Sequence, residues 1–157
     1  NGAKIAVSFA DPAVVKFGRE GLDAMLEGGV DAVFCNCDEA QLFTNQTSHS
    51  QAATALLSVA NMAVVTNGAA GSIIAVRDDV SRETKLIDVA SLPVDQVLDT
   101  NGAGDNFAGS FLYALSHGHA FADCGKLASS VASQIIQQYA HRLKPAQYQA
   151  IFQSTLT

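Results

Sequence analysis

The sequence is short of cysteine, short of positive charge and without any long apolar run, and each shortage closes something off. Its three cysteines, Cys35, Cys37 and Cys124, are an odd number and make no disulfide framework. Cys35 and Cys37 alternate near the end of a strand, so they face opposite sides. No further soft ligand stands at the spacing that a zinc site uses. Nine lysines and arginines against fifteen acids give a net charge of −6. They form no basic cluster, so the reading is of a chain with neither a nucleic-acid nor a membrane partner. No apolar stretch is long enough to cross a bilayer, and no signal peptide is recognisable. The reducing cytoplasm is the compartment that fits.

What is present is apolar. Hydrophobic residues make up 48% and charged residues 15%, the balance of a globular chain rather than a disordered one. A chain of 157 residues suits one domain over 1–157 and buries roughly two-thirds of its unfolded surface. Short β-branched runs alternate with helical stripes. Lys4–Phe9 reads as a buried strand. Asp11 and Pro12 then open a helix that runs to about Leu26 and stops at Gly28-Gly29, weakened on the way by Gly18 and Gly21. Val30–Cys35 is a strand, and Asn36 to Phe43 a short helix. Thr44–Ser50 is a polar loop, and Gln51–Ala60 a helix with Ala52, Ala55, Leu56 and Val59 on one face. Strands follow at Ala63–Thr66, Ser72–Val76 and Lys85–Asp88, with a charged turn from Arg77 to Thr84. Phe107, Ala108, Phe111, Leu112 and Leu115 form a helical stripe that Gly118 ends. Cys124 to Tyr139 forms a longer one, and Pro145 opens a last helix. Strands alternating with helices predict an α/β domain with a largely parallel sheet. Ligands of such sheets bind beyond the carboxyl ends of the strands. Asn36, Gly68 and Gly102 each follow a predicted strand, so three loops are expected at one edge.

The stretch Leu98-Asp99-Thr100-Asn101-Gly102-Ala103-Gly104-Asp105-Asn106-Phe107-Ala108-Gly109 organises the rest. Gly102 and Gly104 permit a sharp turn and a close ligand. The amides of Gly102 to Asp105 then lie at a helix N-terminus, where unpaired N–H groups and the helix dipole make an anion site. A carboxylate in an anion site is a conflict, unless the acid takes a proton from something beside the anion. That combination points to phosphoryl transfer. Locally, Asp105 also reads as a plain helix cap, Asn36 with Glu39 as a capping box, and Asn67-Gly68 as a hairpin turn. His117 and His119 look like a metal pair, but histidine is common where a helix ends.

Asp99 to Gly109 resembles the C-terminal signature of the ribokinase-like (PfkB) carbohydrate kinases. Asn36-Cys37-Asp38-Glu39 resembles that family's N-x-x-E motif. Val65-Thr66-Asn67-Gly68-Ala69-Ala70-Gly71 resembles its T-x-G-x-x-G nucleotide loop, in the family's order. Ser8–Pro12 and Gly118–Ser129 look most like the adenosine-kinase-like branch. The resemblance implies a three-layer α/β/α fold, of which this chain is the C-terminal, nucleotide-binding half. Asn1 then falls near the middle of a full-length relative, and the N-terminal half, with the lid and most acceptor-binding residues, is missing.

The resemblance also implies roles. Asp105 is the catalytic base that takes the proton from a hydroxyl of a sugar or nucleoside as it attacks the γ-phosphate of ATP. Gly102, Ala103 and Gly104 form the anion hole. Asn36 and Glu39 place Mg²⁺, through water, and phosphate. Thr66, Gly68 and Gly71 border the nucleotide. Asp99 matches an acid beside a monovalent cation such as K⁺. Ala140-His141-Arg142-Leu143 stands where relatives of this branch read Gly-Pro-Arg-Leu, a departure next to that cation site. Alone, the half is expected to be a poor kinase with an open strand edge through which copies could pair as a homo-oligomer. Two other readings remain open at this point. One is an NAD-dependent oxidoreductase domain, with Gly102-x-Gly104 and Asp123 about 20 residues on. The other is a non-catalytic half-domain that assembles with a partner.

Overall fold

A computed structural model describes residues 2–78, 81 and 83–156. Residues 79, 80 and 82 of the charged turn lie outside that set. The chain divides into two compact units, Asn1–Asn67 with Ile73–Ile87, and Gly68–Ser72 with Asp88–Thr157.

The first unit is built on a sheet. Its strands are β1 (Ala6–Ser8), β2 (Val30–Asn36), β3 (Ala60–Thr66), β4 (Ser72–Arg77) and β5 (Thr84–Val89), in spatial order β1-β2-β3-β4-β5. β1, β2 and β3 are parallel, with Val7 opposite Val33 and Val33 opposite Ala63. The connections after β3 and β4 are too short for parallel crossovers, and Asp78 N–H bonds the Glu83 carbonyl at 2.9 Å where the last pair closes. The sheet is therefore mixed, with helices flanking it. Val33, Val64 and Val65 are wholly buried, as central strands of such a sheet require.

β1 departs from the expected buried strand over Lys4–Phe9. It is three residues long, and only Val7 and Phe9 of the run are buried, while Ile5 is 56% exposed. The cause is position: β1 is an edge strand with β2 on one side only. The segment before it is pinned by Asp31, which accepts from Lys4 Nζ at 2.9 Å and from Ile5 N–H at 2.8 Å.

The helices of this unit follow their caps. Asp11 caps α1 (Pro12–Phe17), accepting from Ala13 N–H. The single helix expected to Leu26 is two, because Gly18 breaks it, and α2 (Arg19–Leu26) starts anew. A Cβ at Gly18 would stand 2.9 Å from the Val14 carbonyl. α3 (Cys37–Thr44) follows β2 directly. α4 (His49–Ala55) begins earlier than expected because Ser48 caps it, and it tightens into a 3₁₀ turn at Leu56–Ser58. β3 consequently starts at Ala60 rather than Ala63. Phe9, Val33, Phe43, Leu56 and Ala63 share one core.

The second unit is helical, with α5 (Ala103–Ser116), α6 (Phe121–Ile135) and α7 (Pro145–Leu156). α5 buries Phe107, Ser110, Phe111 and Ala114. The expected stripe was turned slightly: Ala108, Leu112 and Leu115 lie at its half-buried margin. α6 buries Cys124, Leu127, Ala128, Val131 and Ile135. Val131, Ile135 and Leu143 pack with Ala103, Tyr148, Ile151 and Phe152. Gly102 was expected to follow a strand directly, and it does not. Residues 90–101 between β5 and α5 have no regular structure.

Candidate active site

The residues singled out in the sequence fall into both units. In the first, Asn36 ends β2 and Glu39 stands in the first turn of α3. Glu39 N–H donates to Asn36 Oδ1 at 2.8 Å. In return Asn36 N–H donates to Glu39 Oε2 at 2.9 Å, and Asn36 Nδ2 to Glu39 Oε1 at 2.8 Å. This is the capping box read from the sequence. Both carboxylate oxygens are engaged, and the residue is 4% exposed. Burial pushes the Glu39 carboxyl above the usual glutamate range, against the pull of the Asn36 N–H, and the Asp11 and Asp38 carboxylates add to the rise. Thr66 sits opposite Asn36 in the β2–β3 register, its Oγ1 3.5 Å from the Cys35 carbonyl. Asn36, Glu39 and Thr66 are thus grouped at the carboxyl ends of two parallel strands. His49, which carried no signal in the sequence, reaches the Val65 carbonyl with Nε2 at 3.0 Å.

In the second unit, Gly68 to Ala70 make a 3₁₀ turn, with Gly71 N–H bonded to the Gly68 carbonyl at 3.1 Å. This replaces the two-residue hairpin that Asn-Gly predicts. Gly71 has φ +88°, and a Cβ there would lie 2.2 Å from the Val89 carbonyl. Ser91 Oγ donates to the Ala69 carbonyl at 2.6 Å. The loop is therefore tied to the segment after β5. That same segment lines a cleft of 410 Å³ with Lys126, Ser129, Ser130 and Thr155.

The motif of Asp99 to Gly109 opens α5. Leu98 and Asp99 donate their N–H groups to the Ile136 carbonyl at 2.8 and 3.3 Å, serving the open end of α6. Asp99 Oδ1 accepts from Asn101 N–H at 3.0 Å. Gly102 takes the left-handed conformation, φ +78°, and no side chain caps the helix. Gly104, expected to need the same freedom, has ordinary helical geometry, and a Cβ there would meet nothing within 4 Å. Its backbone is open to an approaching group. Asp105 is exposed in the first turn and bonds to no amide as a cap. It borders a second cleft, of 370 Å³, with Asn106, Ser110, Tyr113, Arg142, Tyr148 and Phe152.

Residues that the sequence did not single out complete this end of α5. Asn106 Nδ2 donates to the Gly102 carbonyl at 2.7 Å and to the His141 carbonyl at 2.8 Å, and Tyr148 Oη donates to Asn106 Oδ1. Asn106 lies inside the Asp99–Gly109 stretch, but no role was read for it there. Its partner lies 42 residues on, beyond any periodicity.

Residues 2–146 match the pattern of the pfkB family of carbohydrate kinases. The chain belongs to that family. Among curated relatives, adenosine kinase of Schizophyllum commune is 28% identical over 152 residues, 88% of this chain and 43% of its own length. A solved structure of a probable sugar kinase from Rhizobium etli superposes with a TM-score of 0.84 at 30% identity, covering 99% of this chain and 46% of that one. Adenosine kinase from Sinorhizobium meliloti superposes with a TM-score of 0.83 at 30% identity, over 98% of this chain and 45% of that one. This pfkB chain thus spans less than half the length of the relatives it matches, and the mixed sheet with flanking helices is their ribokinase-like α/β fold.

The other features of the sequence have local explanations. Asp123, the acid a dinucleotide site would need at a strand end, lies in the first turn of α6, ion-paired with Lys126 at 3.1 Å. His117 ends α5, its Nδ1 2.8 Å from the Tyr113 carbonyl. Among the described residues no helix is long and apolar enough to cross a membrane.

Proposed function

We propose that this chain is the nucleotide-binding half of an ATP-dependent kinase that phosphorylates a hydroxyl of a sugar or nucleoside. The observation that carries the reading is the start of α5: a helix N-terminus without a side-chain cap, an open backbone at Gly104, and an exposed carboxylate one residue later. Unpaired amides at a helix start suit a transferring phosphoryl group, whose transition state needs charge stabilisation and alignment more than covalent help. Gly102 and Gly104 supply the free amides of the anion hole, with Ala103 between them, whose own N–H is held by the Thr100 carbonyl at 3.2 Å. Asp105 accepts the proton of the attacking hydroxyl. Gly68 and Gly71 border the nucleotide, and the 410 Å³ cleft beside their loop is of a size for its base.

Asn36 and Glu39 serve Mg²⁺ and phosphate, and Thr66 borders the nucleotide as Gly68 and Gly71 do. Both oxygens of Glu39 already accept from Asn36, so the carboxylate suits Mg²⁺ held through water better than direct ligation. When bound, Mg²⁺ neutralises phosphate charge. Asp99 spends one oxygen on Asn101 N–H and keeps Oδ2 for a monovalent cation such as K⁺. A sugar or nucleoside is the acceptor, and three free cysteines suit a reducing cytoplasm. The chain alone is a poor kinase, because the acceptor side belongs to a half it does not contain, and β1 leaves an edge for pairing.

Thermal melting tests the reading. MgATP raises the midpoint and NADH does not. A rise with NADH alone would turn the reading to an oxidoreductase, and no rise with either would favour a non-catalytic half-domain. Acceptor-dependent ATP turnover by this chain at ordinary kinase rates would refute its incompleteness.

A further inference from the structure

We propose that Asn106, held by Tyr148, is a positioning residue that fixes the Gly102 turn and thereby the anion site at the start of α5. The inference rests on the kinase reading above and adds to it a residue whose bonds go to the turn that carries the anion site.

Two carbonyls can only accept, so the Asn106 amide nitrogen must face Gly102 and His141, and its oxygen must face the Tyr148 hydroxyl. Both N–H donors are then used, at 2.7 and 2.8 Å, and the oxygen accepts one bond. Tyr148 Oη in turn accepts from Leu143 N–H at 3.4 Å, and His141 Nδ1 lies 3.4 Å from the Asn101 carbonyl. The network joins three places: the left-handed turn at Gly102, the His141–Leu143 connection, and α7. It closes on the turn. A Cβ at Gly102 would stand 3.2 Å from the His141 carbonyl, so the two backbones are in contact as well. A left-handed residue is the hinge on which the first amides of α5 are aimed. Asn106 removes its freedom by bonding the turn itself, while it lines with Tyr148 the same 370 Å³ cleft that Asp105 borders.

This predicts a specific phenotype for Asn106→Leu, which keeps the shape and deletes every bond, and a weaker one for Tyr148→Phe, which deletes only the hydroxyl. Amide exchange is read first. The N–H groups of Ala103 and residue 106 close the turn onto Thr100 and Gly102 at 3.2 and 3.0 Å. They should exchange about tenfold faster in Asn106→Leu, with amides of Leu127–Val131 in α6 unchanged. Binding of a non-hydrolysable ATP analogue with Mg²⁺ should weaken about tenfold, while MgADP stays within about twofold, because only the analogue carries the terminal phosphoryl group. Tyr148→Phe should move both readouts the same way by less. A merely structural role would speed α6 exchange and weaken both nucleotides alike, and that result overturns the proposal. So does a triphosphate preference retained in full by Asn106→Leu. A wild-type chain that binds neither nucleotide removes the kinase reading and this role with it, whatever the exchange shows.

Discussion

Of the helices that carry an acid in the first turn, α3 and α5 begin in opposite ways. α3 seals itself: Asn36 and Glu39 exchange three hydrogen bonds, and the carboxylate is 4% exposed. α5 has a glycine at the cap position, no side-chain cap, and an exposed Asp105. The same amide surplus exists at both ends. At α3 the protein's own side chains consume it. At α5 it is left over, and the protein spends a side chain, Asn106, on holding the turn in place instead of on quenching it. A helix start that a chain leaves uncapped while bracing its turn is better suited to a ligand than one it closes.

The contrast breaks most visibly at Asp105. If its carboxylate is a base, Asp105→Asn in a protein carrying both halves of the kinase lowers kcat by about 10²–10⁴-fold. Its stability should hardly move, because the side chain caps nothing. Steady-state turnover with paired melting curves checks this. A large loss of stability with intact turnover would make Asp105 a cap after all, and α5 would join α3.

How much of this contrast was legible follows from the range of the forces involved. Caps and stops act over three or four residues, so Asp11-Pro12, Gly28-Gly29, the Asn36/Glu39 box and the glycine turn into α5 could all be read locally. The alternation of strand and helix gave the fold class for the same reason. Strand burial could not be read this way. Lys4–Phe9 is apolar enough for a central strand, and only its place at the sheet edge exposes Ile5. Gly18 was seen as a weakness, but whether a weak point breaks depends on what packs around it. The Asn106–Tyr148–His141 network lies furthest from local reading: Asn106 and His141 stand in stretches the sequence marked, but their bonds join residues up to 42 positions apart.

A smaller effect sharpens the difference within the α5 start itself. Gly102→Ala forces a side chain into the left-handed region, 3.2 Å from the His141 carbonyl, and should cost about 1–2 kcal/mol. Gly104→Ala meets nothing within 4 Å and replaces a helical glycine, so it should gain about 0.5–1 kcal/mol while putting a methyl on the open face. Denaturant unfolding separates the two. Equal costs would mean that Gly104 is also a conformational glycine, and the open face would lose its argument.

The smallest effect belongs to α3, and its sign is the informative part. Burial raises the folded Glu39 pKa above the ordinary glutamate value, even though the Asn36 N–H favours the charged form. Between the ordinary and the raised value the folded chain therefore holds more protons than the unfolded chain, and stability falls as pH rises through that window. Asp31 works the other way. Its bonds to Ile5 N–H and Lys4 lower its pKa, so its contribution is present above the ordinary aspartate value and is lost as pH falls. The difference between wild type and Glu39→Gln isolates the first term, because Asp31 is common to both. Unfolding free energies measured upward from the ordinary glutamate pKa should fall more steeply in wild type than in Glu39→Gln. Parallel curves would mean that the hydrogen bonds from Asn36 offset burial completely, and that α3 seals its acid at no electrostatic cost.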